Sequence, residues 1–227
     1  MDNKVSIIIP KYKPKKETFL KLKKYLKENA KGMEIIEIEG KNGLANTYNQ
    51  GIKKAKGEII ITLHQDCIPK DKESIFKLIE PFNDENVILT YCFIRDNDKN
   101  KKYRPFPPDG KFVAYRKSIL EEVGLFNCKI FFTGGEDVEL YSRLKNKGKI
   151  VFVNTEVEHF HKGYKYNLTK EKRKQNGNIN GCLFRVIGFK NDRWLKALIL
   201  SFVFPFSYGK EFIKGFLSGK QNYRRKK

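Results

Sequence analysis

Several polar and aromatic side chains stand where short apolar runs of the sequence end. They are Pro10, Tyr12, Glu39, His64 and Asp66. In an open α/β sheet, ligands bind beyond the carboxyl ends of the parallel strands, so residues that follow different strands meet at one edge. Each residue alone is equally typical of an ordinary loop. Their repeated position nevertheless predicts a shared ligand-binding edge.

Asp66 closely follows a strongly apolar run at residues 59–63. A hard divalent cation takes carboxylate oxygens that are held on a rigid strand end, and Asp66 is placed to supply one. The alternative is a structural aspartate that caps a helix or forms a turn just before Pro69. The position favours the metal-binding interpretation.

Glu136 and Asp137 follow two glycines at the predicted first turn of a helix. The helix dipole favours ionised carboxylates there, which is one sufficient explanation of the pair. The other explanation is catalytic, because the glycines let an acceptor approach closely while one carboxylate serves as general base. The spacing alone does not separate these two interpretations.

Two histidines, His159 and His161, lie two residues apart in the segment VEHFHKG. If this segment is extended, both side chains point to the same face. A lone histidine is more often a surface or packing residue. However, these are two of only three histidines in the chain, and the third, His64, is close to Asp66. This concentration favours a role in binding metal or phosphate.

Apolar runs rich in β-branched residues alternate with helical patterns over the first 93 residues. The predicted strands are 5–9, 33–39, 58–63 and 87–93, and the helices between them include 44–55 and 74–82. A run that is apolar at nearly every position is typical of a strand buried on both faces of a parallel sheet. The alternation predicts an α/β architecture with right-handed crossovers.

The second part of the pattern begins with a polar, proline-containing loop at 95–110, of a length that is often functional in compact domains. The predicted elements after it are a strand at 112–115, a short helix at 118–123, a helix at about 136–147 and a strand at 149–153. These elements extend the same α/β unit to about residue 163.

Composition indicates a folded protein of the reducing cytoplasm. The 227 residues are 40% hydrophobic and include 18 Phe and 11 Tyr, which is enough for a substantial core. The four cysteines form no CxxC pair, and the start MDNKVSIIIP lacks the apolar run and cleavage site of a signal peptide. We therefore expect free thiols and a cytoplasmic location.

Positive charge is concentrated at the carboxyl end. The chain carries a net charge of +21, and residues 162–227 hold 17 basic against 3 acidic side chains. The apolar run 194–206 contains Lys196 and Pro205, and it is shorter than the roughly 20 residues that a spanning helix needs. Aromatic residues beside Lys and Arg predict a segment that lies peripherally on an anionic membrane. The alternative is a helix packed on the α/β unit.

Five segments of the sequence, in this order, resemble the inverting nucleotide-sugar glycosyltransferases of family 2. They are VSIIIPKY, EIIEIEGKNGLANTYNQGIKKAKGEIIITLHQDC, AYRKSILEEVGLFN, GGEDVELYSRLKNKGKIVFV and VEHFHKG. The resemblance implies an A-type fold, a Rossmann-like and mostly parallel sheet flanked by helices, over residues 1–163. Residues 164–227 then form a basic, amphipathic helical extension.

The resemblance also implies roles for individual residues. The nucleotide-binding set is Pro10, Tyr12, Glu39, Asn49 and His64; the metal-binding set is Asp66 with His159 or His161; the catalytic pair is Asp137, as general base, with Glu136. Two positions depart from the family pattern. Glu39 replaces the usual Asp, and His64 replaces the first Asp of the Asp-any-Asp metal motif.

The implied activity is transfer of a sugar from a nucleotide-sugar donor to a hydroxyl of a glycan or lipid-linked acceptor, with inversion and with Mg²⁺ or Mn²⁺. A basic nucleic-acid-binding protein is the main alternative, but no helix-turn-helix, zinc-finger or RNA-binding signature accompanies the charge. We therefore expect no nucleic-acid partner. A nucleotidyltransferase would require a Gly-rich phosphate loop where this chain has Pro-Lys-Tyr-Lys-Pro-Lys.

Overall fold

Strands and helices alternate along the first half of the chain, as the apolar pattern predicts. The computed structural model describes residues 5–40, 42–97, 100–160, 170–188 and 194–221. The strands are β1 (Val5–Lys11), β2 (Glu34–Glu39), β3 (Ile59–Leu63), β4 (Cys67–Pro69), β5 (Val87–Asp96), β6 (Lys101–Tyr103), β7 (Phe112–Arg116) and β8 (Lys149–His159). The helices are α1 (Lys16–Asn29), α2 (Leu44–Lys54), α3 (Ser74–Ile79), α4 (Lys117–Glu122), α5 (Glu136–Leu144), α6 (Lys170–Ile187), α7 (Trp194–Val203) and α8 (Lys210–Ser218).

The strands form one mixed sheet. Its main path runs β2-β1-β3-β7-β5-β8-β4, and β6 pairs with β5 beside this path. β1 is parallel to β2 and β3, and β5 is parallel to β8. β7 is antiparallel to both β3 and β5, because no crossover helix separates it from β5 in the chain. The predicted α/β fold class is confirmed, with an antiparallel strand at its centre.

The central strands are buried on both faces because each sends apolar side chains to both sides of the sheet. In β1, Ile7 and Ile9 pack in the core cluster that includes α1 and α3. Ile8, between them, packs in the opposite cluster with residues of α2 and α5. This alternation with a period of two explains why a run of consecutive isoleucines is a single strand between two helical layers.

The strand β8 is longer than the segment 149–153 that the sequence pattern predicts, and it continues to His159. The continuation contains Glu156, which is only 5% exposed. Three cations surround its carboxylate, those of Arg95 at 2.5 Å, Lys102 at 3.1 Å and Lys70 at 3.5 Å. Because these cations compensate the buried charge, a polar segment continues as buried strand and delivers His159 to the sheet edge.

The predicted loop 95–110 contains more regular structure than its polar composition indicates. β5 extends to Asp96, and β6 returns beside it as an antiparallel hairpin. The connection from β6 into β7 is irregular from Arg104 to Lys111. The hairpin therefore leaves eight irregular residues before β7, and the carbonyl of the last one, Lys111, accepts from the N–H of His64 in the turn that follows β3.

The carboxyl-terminal helices pack closely through glycines. A Cβ atom at Gly181 of α6 would stand 2.0 Å from the carbonyl oxygen of Phe212 in α8, and one at Gly215 would stand 2.2 Å from that of Asn178. These positions allow the two helix backbones to touch. A π-helical turn at Pro205–Gly209 connects α7 to α8. Among the described helices, none is both long and apolar enough to cross a lipid bilayer.

α6 also packs on the α/β part of the chain. Its Cys182 and Leu183 form a buried cluster with Phe131 and with Val138 of α5. The basic carboxyl-terminal segment therefore shares core contacts with the segment that carries Glu136 and Asp137.

Candidate active site

The carboxyl ends of β1, β2 and β3 lie side by side at one edge of the sheet. Lys11 at the end of β1 stands opposite Glu39 at the end of β2. The side chain of Gln65, in the turn after β3, joins the first and third strand ends. Its Oε1 accepts from the Tyr12 backbone N–H at 2.7 Å, and its Nε2 donates to the Tyr12 carbonyl at 2.9 Å. The predicted edge is thus assembled in the structure.

The predicted nucleoside-binding residues at this edge differ in exposure. Pro10 is buried within β1, whereas the Tyr12 side chain is 52% exposed. The carboxylate of Glu39 is exposed and lies 3.2 Å from the Lys11 ammonium group, which is also 3.2 Å from Glu37. An aromatic ring and a carboxylate therefore face solvent together. Contact of these residues with a nucleoside stays a prediction.

Asn49 has both ends of its amide occupied by backbone. Its Nδ2 donates to the Phe126 carbonyl at 2.8 Å, and its Oδ1 accepts from the Phe126 N–H at 3.0 Å. The pair of bonds ties α2 to the segment after α4. Asn49 therefore has a structural role in the fold. Its position near the nucleotide-sugar donor, and direct contact with the nucleotide, stay predictions.

Asp66 lies between two imidazole rings. Its Oδ1 is 3.9 Å from His64 Nδ1, and its Oδ2 is 3.6 Å from His159 Nε2. The antiparallel pairing of β4 with β8 produces this arrangement, since it sets Cys67 opposite His159. The other candidate, His161, lies outside the described residues. The structure therefore brings His64, Asp66 and His159 together.

The protonation states of this cluster suit a divalent cation. Burial is the largest single influence and disfavours the charged form of Asp66, but the interactions with His159 and His64 together outweigh it, and the pKa of Asp66 falls to about 2. Burial lowers the pKa of His64 to about 4, so this imidazole is neutral at pH 7. Potential donor atoms of His64, Asp66 and Cys67 lie within 4.8 Å of one another. Burial raises the pKa of the Cys67 thiol, so its sulfur stays protonated. The anionic oxygen of Asp66 beside the neutral imidazole of His64 fits such a metal.

Two charged residues before β7 lie beside the cluster of His64, Asp66 and His159. Lys111 and Asp109 form a close ion pair, and the backbone N–H of His64 donates to the Lys111 carbonyl at 3.0 Å. Burial opposes both charges, but their mutual attraction lowers the pKa of Asp109 and raises that of Lys111. The charge of Asp109 also acts on His64 and on Glu136. The charge of Asp109 therefore acts both on the cluster around Asp66 and on the acidic pair at the start of α5.

The acidic pair begins α5 directly after two glycines with positive φ, +81° at Gly134 and +91° at Gly135. A Cβ atom on Gly135 would also come within 2.9 Å of Ile179 in α6. Both the backbone conformation and the close approach of α6 therefore require glycine.

The two carboxyl groups of the pair have different environments. Glu136 is 5% exposed, and its Oε2 has no hydrogen-bond partner among the described residues. Burial, and then the charge of Asp137, raise the pKa of Glu136 to about 8. Asp137 is half-buried, and its Oδ1 accepts from the Val138 N–H at 2.8 Å. The pair therefore combines a carboxyl that holds a proton at neutral pH with a more accessible one.

A comparison with protein families identifies the chain. The model of glycosyl transferase family 2 matches residues 13–135, which is more than half of the sequence. The chain belongs to glycosyl transferase family 2. This confirms the resemblance that the sequence motifs indicated, and in general terms the protein is therefore a glycosyltransferase. A search of curated protein sequences found no match.

Solved structures share the fold of this family 2 chain. The mannosyltransferase PcManGT from Pyrobaculum calidifontis, in complex with GDP-Man and Mn²⁺, has a TM-score of 0.68 at 12% identity over 92% of this chain and 73% of that one. GalNAc-T7 with UDP, GalNAc and Mn²⁺ scores 0.51 at 15% identity over 98% and 59%. A197 from STIV scores 0.53 at 16% identity over 70% and 86%. At these identities the similarity shows the fold alone.

Three residues of this family 2 protein that border the site were not predicted from the sequence. They are Asp109, Lys111 and Gln221. For Asp109 the only sequence signal was the proline-containing loop 95–110, of a length that is often functional, and Lys111 lies just after that loop. For Gln221 the sequence has no signal, because its contacts lie about 90 residues away along the chain.

Proposed function

We propose that this glycosyltransferase moves a sugar from a nucleotide diphosphate sugar to an acceptor hydroxyl, with inversion at the anomeric carbon and with a divalent cation. The observation that carries the proposal is the position of Asp66, held between His64 and His159 beside the end of β3. The GDP-Man, UDP and Mn²⁺ of two structures with the same fold support the same chemistry.

Asp66 and His159 would hold the cation, with His64 beside them. Asp66 supplies an ionised oxygen, and His64 a neutral nitrogen where the family usually has a second carboxylate. Because imidazole suits Mn²⁺ better than Mg²⁺, this replacement supports a preference for Mn²⁺. When bound, such a cation neutralises the charge that develops on the departing diphosphate.

The nucleoside would lie along the ends of β1 and β2. There the Tyr12 ring offers a stacking surface, and the Glu39 carboxylate can accept hydrogen bonds from sugar hydroxyls or base N–H groups. The hydrogen bonds from Gln65 fix the Tyr12 backbone relative to Asp66. The Gln65 side chain would thus set the distance between the bound nucleoside and the proposed cation site at Asp66.

Asp137 would act as the general base. Since Glu136 keeps its proton at neutral pH, Asp137 carries the negative charge of the pair and is the group able to accept another proton. It removes the proton of the acceptor hydroxyl, whose oxygen then attacks the anomeric carbon from the side opposite to the leaving diphosphate. One displacement of this kind inverts the anomeric configuration.

The acceptor would be a lipid-linked or cell-surface glycan precursor, met at the inner face of the cell membrane. Eight large apolar side chains are exposed in the described part of the carboxyl-terminal helices and their connecting turn. They are Val186, Ile199, Phe202, Val203, Phe206, Ile213, Phe216 and Leu217. The same segment exposes Lys210, Lys214 and Lys220. An apolar surface accompanied by lysines supports peripheral binding to anionic lipid.

The test is a screen of nucleotide sugars with the purified full chain, in the presence of Mn²⁺ or Mg²⁺ and of lipid-linked sugar acceptors. We expect one donor class to release its nucleoside diphosphate in a metal-dependent reaction, and Asp66→Asn to abolish that release. Asp71→Asn, the same change at an exposed aspartate five residues away, serves as control. Metal-independent release, or full activity of Asp66→Asn, would contradict the proposal.

A further inference from the structure

A residue near the far end of the chain holds the loop that leads into α5. Oε1 of Gln221 accepts from the backbone N–H groups of Phe132 at 2.7 Å and Thr133 at 3.0 Å. Its Nε2 donates to the Thr133 carbonyl at 2.9 Å, and its own N–H donates to the Ile130 carbonyl at 2.8 Å. One side chain thus satisfies three backbone groups just before the acidic pair.

The same loop is restrained from two other directions. The Phe132 carbonyl accepts from the Leu44 N–H at 2.8 Å, which ties the loop to the first residue of α2. Ile179 of α6 packs against Gly134 and Gly135. Gln221 supplies the third restraint, after the end of α8.

These restraints matter because of the two glycines between the loop and the acidic pair. Glycine adopts positive φ without the cost that other residues incur, but it also moves readily between conformations. The direction in which α5 begins therefore depends on what holds residues 130–133 as well as on the packing of α5 in the core, since the glycines themselves do not fix it. A general base must be oriented closely toward the proton that it removes, so this direction affects the rate.

We propose that Gln221 is a positioning residue for Asp137. It acts through the backbone of Phe132 and Thr133 and touches no substrate. The inference rests on the proposed function, since it assigns Asp137 the role of base. It also gives the carboxyl-terminal segment a part in catalysis that is independent of any binding to a membrane.

The first test compares Gln221→Met and Gln221→Glu in the full chain. Met has a similar length but makes none of the three side-chain hydrogen bonds, so we expect kcat to fall about 10-fold or more. The KM for the donor and the metal-dependent affinity for nucleoside diphosphate should stay within about 2-fold. Gln221→Glu retains the acceptor oxygen but loses the hydrogen bond donated to the Thr133 carbonyl. Its kcat should therefore lie between those of the wild type and Gln221→Met.

The matched control is Lys129→Met, which places the same side chain at an exposed position just before the loop and should leave kcat unchanged. A wild-type kcat in Gln221→Met would overturn the proposal. A loss of donor affinity and of thermal stability that accompanies the loss of kcat in that variant would also overturn it, because it indicates a general structural role.

Amide hydrogen exchange tests positioning without relying on activity. In Gln221→Met, the amides of residues 132–138 should exchange on the order of 10-fold faster, while those of α2 keep their rates. Unchanged exchange would overturn the positioning role whatever the activity. If the wild-type chain transfers no sugar but the exchange rises as expected, the proposed function fails and the mechanical link to the acidic pair stands.

Discussion

Of two adjacent carboxyl groups, those of Glu136 and Asp137, only Asp137 accepts a proton in the proposed reaction. Asp137→Asn keeps the shape of the side chain but removes its ability to accept a proton. We therefore expect transfer to fall at least about 100-fold while metal-dependent binding of nucleoside diphosphate persists. Transfer assays and calorimetric binding measure the two effects. Near-normal transfer by Asp137→Asn would assign the base to Glu136 or remove it from the pair.

The raised pKa of Glu136 makes stability depend on pH. Its folded pKa of about 8 exceeds the ordinary 4.5, so its contribution to stability is complete below pH 4.5 and is lost as pH rises through about 8. Glu136→Gln has no such proton to lose. Relative to wild type, this variant should gain up to about 1.4 kcal/mol of unfolding free energy per unit of the shift as pH rises across that window. Urea unfolding at pH 5, 7 and 9 measures it, and a constant difference between the proteins would contradict the assignment.

The sequence indicated some site residues and could not indicate others, for physical reasons. Asp66 and His64 follow a strand, and His159 was expected near a metal, because each carries a residue type and position typical of ligand sites. Asp109 follows two prolines and precedes a glycine, which is equally typical of an ordinary turn. Its importance arises only when the loop folds back onto His64.

At the scale of elements, the crossing of α6 and α8 depends on glycine. Gly181→Val places a branched side chain where even a Cβ atom would be 2.0 Å from the Phe212 carbonyl oxygen. The helices must separate, so we expect a loss of about 1–3 kcal/mol of stability and faster amide exchange in both helices. Val186→Ala, at an exposed position of α6, should change stability by less than about 0.5 kcal/mol. Equal stability of Gly181→Val and wild type would show that the helices do not pack in this way.

The regular elements were predicted best where hydrophobicity alone determines them. The early apolar strands and α2 agree with their predicted positions to within about two residues, because buried isoleucines leave few alternatives. β6 and the end of β8 were not predicted, since both are polar. The continuation of β8 depends on cations that surround Glu156 from other segments, and a local pattern does not contain that information.

For the molecule as a whole, the basic segment should hold the protein on anionic vesicles. Attraction of about 1 kcal/mol for each Lys or Arg near the surface weakens with salt, whereas burial of the apolar side chains does not. Binding to phosphatidylserine vesicles should therefore decrease but persist at high salt. The double change of Phe202 and Phe206 to Ser, at side chains 78% and 86% exposed, should remove the salt-resistant part.

Phe76→Ser is the control for this experiment, since Phe76 is another exposed phenylalanine but lies on α3. Its vesicle binding should equal that of the wild type at every salt concentration. Full-length protein that ignores the vesicles, or a double variant that binds like the wild type, would contradict the membrane proposal.

The asymmetry of charge was readable from the sequence, but the packing of the basic segment was not. The division into residues 1–163 and 164–227 stays a prediction. α6 nevertheless shares a buried cluster with Phe131 and Val138, and Gln221 is hydrogen-bonded to the loop before α5. Contacts between residues so far apart in sequence follow from the fold as a whole, and periodicity within one segment does not reveal them.

The pairing of β4 with β8 has a consequence for how the protein folds. It brings Asp66 and His159 together from positions more than 90 residues apart, so the proposed cation site exists only in the folded chain. A ligand that binds only the folded state raises the free energy of unfolding, by about 1.4 kcal/mol for each tenfold rise in its concentration above the Kd. Bound metal should therefore stabilise the pairing of β4, the last strand of the sheet, with β8. The melting temperature should rise with Mn²⁺ in the wild type and stay constant in Asp66→Asn.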